Sequence, residues 1–173
     1  MRLLTIRSIS SGAPIWARIF WHWADGAKGK LSNIAWRNSR PDFFIPHIWV
    51  GCYLALQERR DEARANAERA FVLAPWSLPA VGALAGILSL IGDETEARTL
   101  MNRLGDGSAL GAPNGFVWYH ALRSEVDQAM DWYERLIEQR DVRAPWIAAH
   151  VLGDRIISSP RWPALRRKMN LPG

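Results

Sequence analysis

A single cysteine, Cys52, in 173 residues rules out an internal disulfide and any cysteine-rich metal site. Histidine is nearly as sparse. His22, His47, His120 and His150 include no pair at the i, i+4 spacing that a helix-borne zinc site needs. No Gly-x-Ser-x-Gly nucleophile elbow occurs, and nothing in the context pairs Cys52 with a histidine. Gly105-x-Gly107-x-x-x-Gly111 departs from the dinucleotide fingerprint: three residues, not two, follow its second glycine, and no strand-like run precedes it. It reads as a flexible loop. Taken together, these absences predict no catalytic residue, no metal and no cofactor.

Two further absences concern location. Met1 to Gly12 has only Leu3 to Ile6 as an apolar run, too little for a signal peptide. The stretch from Ala70 to Gly92 has no charge, but Pro75 and Pro79 interrupt it, leaving Pro79 to Ile91 as the helix-forming part. That is the length of a buried core helix rather than a membrane span. The expected location is cytoplasmic, with no membrane span.

What is present describes an ordinary folded chain, 49% hydrophobic and 23% charged. The net charge of +5 is unevenly distributed. Residues 1–43 hold Arg2, Arg7, Arg18, Lys28, Lys30, Arg37 and Arg40 against Asp25 and Asp42, while residues 44–173 are balanced. The body is therefore no polyanion-binding surface by composition. Trp16, Trp21 and Trp23 cluster near Arg18, Lys28 and Lys30, a mixture that could stack bases. Large aromatics are more often buried, so packing against the body outweighs nucleic-acid contact, which steep salt dependence would reveal.

The strongest pattern is a spacing. Pro41 and Pro75 lie 34 residues apart, and a segment starting at Phe44 carries Gly51, Ala63, Ala70 and Pro75. A second copy from Leu78 places Leu84, Ala85, Gly92 and Ala97 in the same register, with Leu104 where its second alanine belongs. A third, offset copy from Leu110 carries Ala129 and Tyr133, has Leu136 in place of the second alanine, and lacks a proline at Asp141. Within the first copy, Ala63, Ala67, Ala70 and Ala74 recur every three or four residues, a stripe that lets two helix backbones approach closely. Gly82 and Gly86, four apart, are read in the same way. A degenerate copy would begin at Ser10, with Gly29 and Trp36 at its alanine places.

This register resembles the tetratricopeptide repeat. More narrowly, the chain is similar to the repeat modules found C-terminal to bacterial class III adenylate cyclases, some protein kinases and winged-helix regulators. Two passages carry that likeness: Ala121-Leu122-Arg123-Ser124-Glu125-Val126-Asp127-Gln128-Ala129 followed by Trp132-Tyr133-Glu134, and Ser159-Pro160-Arg161-Trp162 with Leu165-Arg166-Arg167 and Leu171-Pro172. Ser159 stands where such modules carry aspartate.

The resemblance implies an all-α fold, a right-handed superhelical solenoid of antiparallel helix pairs. It would comprise a basic leader at 1–43 with the degenerate copy, repeats at 44–77, 78–109 and 110–142, and a C-terminal cap at 143–173 whose closing stretch forms a short helix. It also implies a concave groove lined by the first helix of each pair: Ile48, Cys52 and Leu56, then Gly82, Gly86 and Leu90, then Asn114, Trp118 and Leu122. Only Asn114 resembles the polar residues that grip a chaperone's C-terminal carboxylate, so that role is disfavoured. The expected function is a non-catalytic scaffold that binds a partner peptide or helix in an apolar groove. The alternatives are a regulatory C-terminal tail of a signalling protein such as a cyclase, and a groove filled by the chain's own residues 1–43.

Overall fold

The computed structural model describes residues 41–148 and 152–171. Among them every regular element is helical and no strand occurs. Six longer helices come first: α1 (Phe44–Leu56), α2 (Arg60–Leu73), α3 (Leu78–Ile91), α4 (Glu94–Asn102), α5 (Ala112–Leu122) and α6 (Val126–Glu138). Three short ones follow: α7 (Ala144–Ala148), α8 (Gly153–Ile157) and α9 (Trp162–Lys168). The all-α expectation holds. No helix among the described residues is long and apolar enough to cross a membrane. The degenerate copy from Ser10 and most of the basic leader lie outside the described residues.

Helix starts follow local chemistry. Asp61 and Glu62 occupy the first turn of α2, where exposed amide groups favour negative charge. Pro79 and Pro113 sit in the opening turns of α3 and α5, where a missing N–H costs nothing. The Asp93 side chain caps α4 by accepting from the Glu96 amide at 3.3 Å. Ser77 precedes α3 as the sequence suggests, but its hydroxyl makes no capping bond.

Helix ends share one device. After α1, α3, α5, α6 and α9 stands a left-handed residue: Glu58, Gly92, Ser124, Arg140 and Asn170. In each case the following amide donates five residues back, as in Arg59 to Leu54, Asp93 to Leu88 and Glu125 to His120. This is the Schellman closure, which satisfies carbonyls the helix leaves free. Glu58, Gly92 and Ser124 recur at nearly the spacing of the sequence register, though only one is glycine.

α1 packs on α2, α3 on α4 and α5 on α6, while α3 also touches α1, α2 and α5. Ala63, Ala67 and Ala70 are buried along α2. A Cβ added at Gly51 of α1 would come within 3.2 Å of the Ala63 carbonyl. The tightest crossing is α3 with α5. There a side chain at Gly82 would run into the Gly115 carbonyl, and one at Gly86 would press on Leu122. Leu104, where an alanine is expected, lies beyond α4, fully buried, its methyl groups against Gly115. The larger residue on one side is matched by the smallest on the other.

The third copy closes differently. At Asp141, where proline is missing, the carboxylate accepts from the Arg143 amide at 2.9 Å and the carbonyl accepts from Ala144 at 3.0 Å. That turn launches α7. Tyr133 is buried, and its hydroxyl donates to the Ala144 carbonyl at 2.7 Å, tying α7 to α6. Arg161 and Lys168 bind Glu134 from beside α9. The stretch 143–171 thus holds α7 and α8 as well as the short helix expected near its end.

Two substitutions separate packing from backbone strain. Gly82→Ala is expected to cost about 3 kcal/mol, because backbone on the facing helix cannot yield. Ser124→Gly is expected to stabilise by about 1 kcal/mol by relieving a left-handed conformation. Chemical denaturation followed by circular dichroism measures both; opposite signs are the expected outcome.

Candidate functional site

The nine residues expected to line one groove fall into three groups. Ile48, Asn114 and Trp118 line an apolar groove of about 690 Å³ formed by the first turns of α1, α3 and α5 and by α7. Leu56, Leu90 and Leu122 line a smaller cavity of about 230 Å³ at the opposite ends of the same helices. Cys52, Gly82 and Gly86 lie between, buried where the helices touch. Cys52 is fully enclosed, and burial pushes its thiol far above its ordinary pKa, so it stays protonated. Gly82 and Gly86 present no surface; they are the helix crossing itself.

The larger groove gains residues that are not among the nine expected groove positions. Trp76, in the turn between α2 and α3, is 73% exposed, and Leu110, just before α5, is 79% exposed. Trp146 of α7 completes this apolar rim at 41% exposure. Polar residues normally populate such turns. An indole directly after Pro75 and a leucine amid Gly107, Ala109 and Gly111 were the available signals. Trp76 is also held in place. Its ring meets Phe44 edge to face, with centroids 5.5 Å apart and planes at 71°. An aromatic anchor fixed before binding loses little conformational entropy when covered.

Ser77, Asn114 and Arg143 are the polar residues of the apolar lining. Asn114 is 3% exposed, and among the described residues its Oδ1 has no hydrogen-bond donor. Burying an amide oxygen unpaired costs about 1–3 kcal/mol, so the site carries an unmet demand for an N–H or O–H. Arg143 stands at the edge, its Nε donating to Asp141 at 2.8 Å and a second nitrogen closing a bidentate pair. Burial alone would raise the Asp141 carboxyl, but these bonds outweigh it and hold the group below its ordinary range. Arg143 therefore remains a fixed, neutralised edge rather than a free cation.

The smaller cavity is of another kind. Arg155 reaches from α8 to the Ala121 and Leu122 carbonyls, the latter at 2.9 Å, and so satisfies the end of α5. Beside it Arg123 joins Glu94 at 3.1 Å and Glu125 at 2.8 Å, and His120 meets Glu125 at 2.7 Å. Arg155 and Arg123 thus tie the end of α5 to α8 and to α4. Trp132 stacks on Phe116 at 3.9 Å and covers Gly107. His47 meets the Pro41 carbonyl through Nε2 at 3.0 Å.

Among the described residues no group of three or more His, Cys, Asp or Glu side chains could hold a metal ion. No protein-family model matches the chain, and no curated protein or solved structure matches it.

Asn114→Leu tests whether the buried amide is retained for binding rather than for folding. The variant removes, at similar volume, an acceptor that has no donor among the described residues, and for a chain whose groove is empty a gain of about 1 kcal/mol in unfolding free energy is expected. A loss of similar size would mean that the amide is paired in the folded chain.

Proposed function

We propose that this chain is a tetratricopeptide-like interaction module, a solenoid of helix pairs whose working site is the groove bordered by Trp76, Leu110 and Trp146. The partner is a helix or peptide with an apolar stripe and one hydrogen-bond donor. Three features support the solenoid reading. They are the pairing of α1 with α2, α3 with α4 and α5 with α6, the contact of α3 with both α1 and α5, and the left-handed closures at Glu58, Gly92 and Ser124.

One observation carries the functional reading: two tryptophans and a leucine stay exposed around a groove that also buries an unpartnered amide. Large apolar side chains scattered singly need no explanation, but a contiguous set beside a concave site marks a binding surface. Trp76 and Trp146, 73% and 41% exposed, together offer on the order of 200–300 Å² to a partner, so covering them contributes several kcal/mol at about 25 cal/mol per Å². An amphipathic helix supplies the matching stripe through residues at i, i+3, i+4 and i+7. Neither a nucleophile nor a charged cluster in the groove supports catalysis there.

The test is a displayed library of peptides tiling a bacterial proteome, panned over the full chain and over a Leu110→Glu/Trp146→Glu variant. Wild type is expected to retain peptides with helical apolar spacing that the double variant loses while keeping its melting temperature. Leu56→Arg, aimed at the smaller cavity, is expected to leave that set unchanged. The same peptides on both baits, or none on either, would contradict the reading.

A further inference from the structure

The groove's wall is also the point where the preceding chain arrives. Phe43 and Phe44 line it, and only Pro41 and Asp42 separate them from the forty residues that lie outside the described ones. Whatever those residues contain is tethered at the groove's lip. Their sequence contains Trp16, Ile19, Phe20 and Trp23, an i, i+3, i+4, i+7 stripe, in a stretch whose only charges before Asp25 are on Arg18 and, when protonated, His22. This matches the groove's demand twice over. The stripe supplies apolar surface, and its indoles are obligate N–H donors of the kind that Asn114 Oδ1 lacks.

We propose that the groove's resident ligand is the chain's own segment 13–24, bound in cis, so that an outside partner must displace it. This rests on the groove being the working site and adds the way in which access to it is regulated. Reach is adequate. Residues 25–40 are sixteen in number, and a chain of that length can reach at most about 50 Å, more than the width of the three helices that form the groove at 8–10 Å spacing. A short tether gives a local concentration in the millimolar range, so even a weak cis contact competes strongly. The alternative, a permanently uncovered cluster of Trp76, Leu110 and Trp146 beside a tethered Trp-rich segment, leaves two apolar surfaces in water within reach of each other.

The experiment uses the full chain and a fluorescein-labelled peptide of residues 13–26, titrated by fluorescence anisotropy. The peptide is expected to bind an Ile19→Asp/Phe20→Asp chain at least about tenfold tighter than wild type, because the cis competitor is lost. Adding Leu110→Glu to that variant is expected to abolish binding; position 110 is exposed, so the fold survives the change. Equal affinity for wild type and the double variant would overturn the proposal, as would binding to neither. A wild-type dimer in sedimentation equilibrium that Ile19→Asp/Phe20→Asp dissociates would also overturn it, assigning the segment to a second copy. Library peptides that bind wild type and the leader variant equally, yet are lost with Leu110→Glu, would sink this inference while leaving the groove intact. No peptide of any kind responding to Leu110→Glu would remove the groove reading itself.

Discussion

The approach of α3 to α5 at Gly82 and Gly115 is the constraint on which the rest depends. It is a backbone-to-backbone contact with no side chain between, so it sets the separation of the two helices without room for adjustment. α3 touches α1, α2, α4 and α5, and the position of each follows from that crossing. Because the centre is closed, free space can persist only at the two ends of the first helices. One end became a joint where Arg155 and Arg123 bind neighbouring helices. The other became an apolar groove in which the buried Asn114 Oδ1 has no donor among the described residues.

This division explains why residues at repeat-equivalent positions have different fates. Cys52, Gly82 and Gly86 stand in the expected register yet are consumed by packing, since small side chains at a crossing draw the helices together. Ile48 and Asn114, at the place equivalent to Gly82, and Trp118, at the place equivalent to Cys52 and Gly86, nevertheless keep contact with the groove. Repeat register tells which face a residue is on; helix separation decides whether that face is a surface.

Much of the fold was legible in the sequence. The alanine stripe of α2, the Gly82/Gly86 pair, Pro79 and Gly92 all encode local geometry directly, and the helices lie where those signals put them. The closures at Glu58, Ser124 and Arg140 were not legible, because nothing about those residue types favours a left-handed conformation. Asp141 replaces a terminating proline by a side-chain turn, a substitution of mechanism rather than of residue class. The short helices α7 and α8 depend on docking to α6, including the Tyr133 bond to Ala144, which is a tertiary effect. The site was half legible for the same reason: Trp76 and Leu110 come from turns at the edges of the repeats and Trp146 from α7, none of them among the groove places of the repeat register.

The central claim is that ligands enter at the end of the molecule bordered by Trp76, Leu110 and Trp146. Fluorine NMR of the chain labelled with fluorotryptophan, assigned by single Trp→Phe variants and titrated with a library-selected peptide, tests it most directly. The account predicts saturable shifts of Trp76 and Trp146 with one dissociation constant, while Trp162, packed on Tyr133 and not part of the groove lining, stays fixed. Shifts at Trp162 without shifts at Trp76 and Trp146 would contradict it.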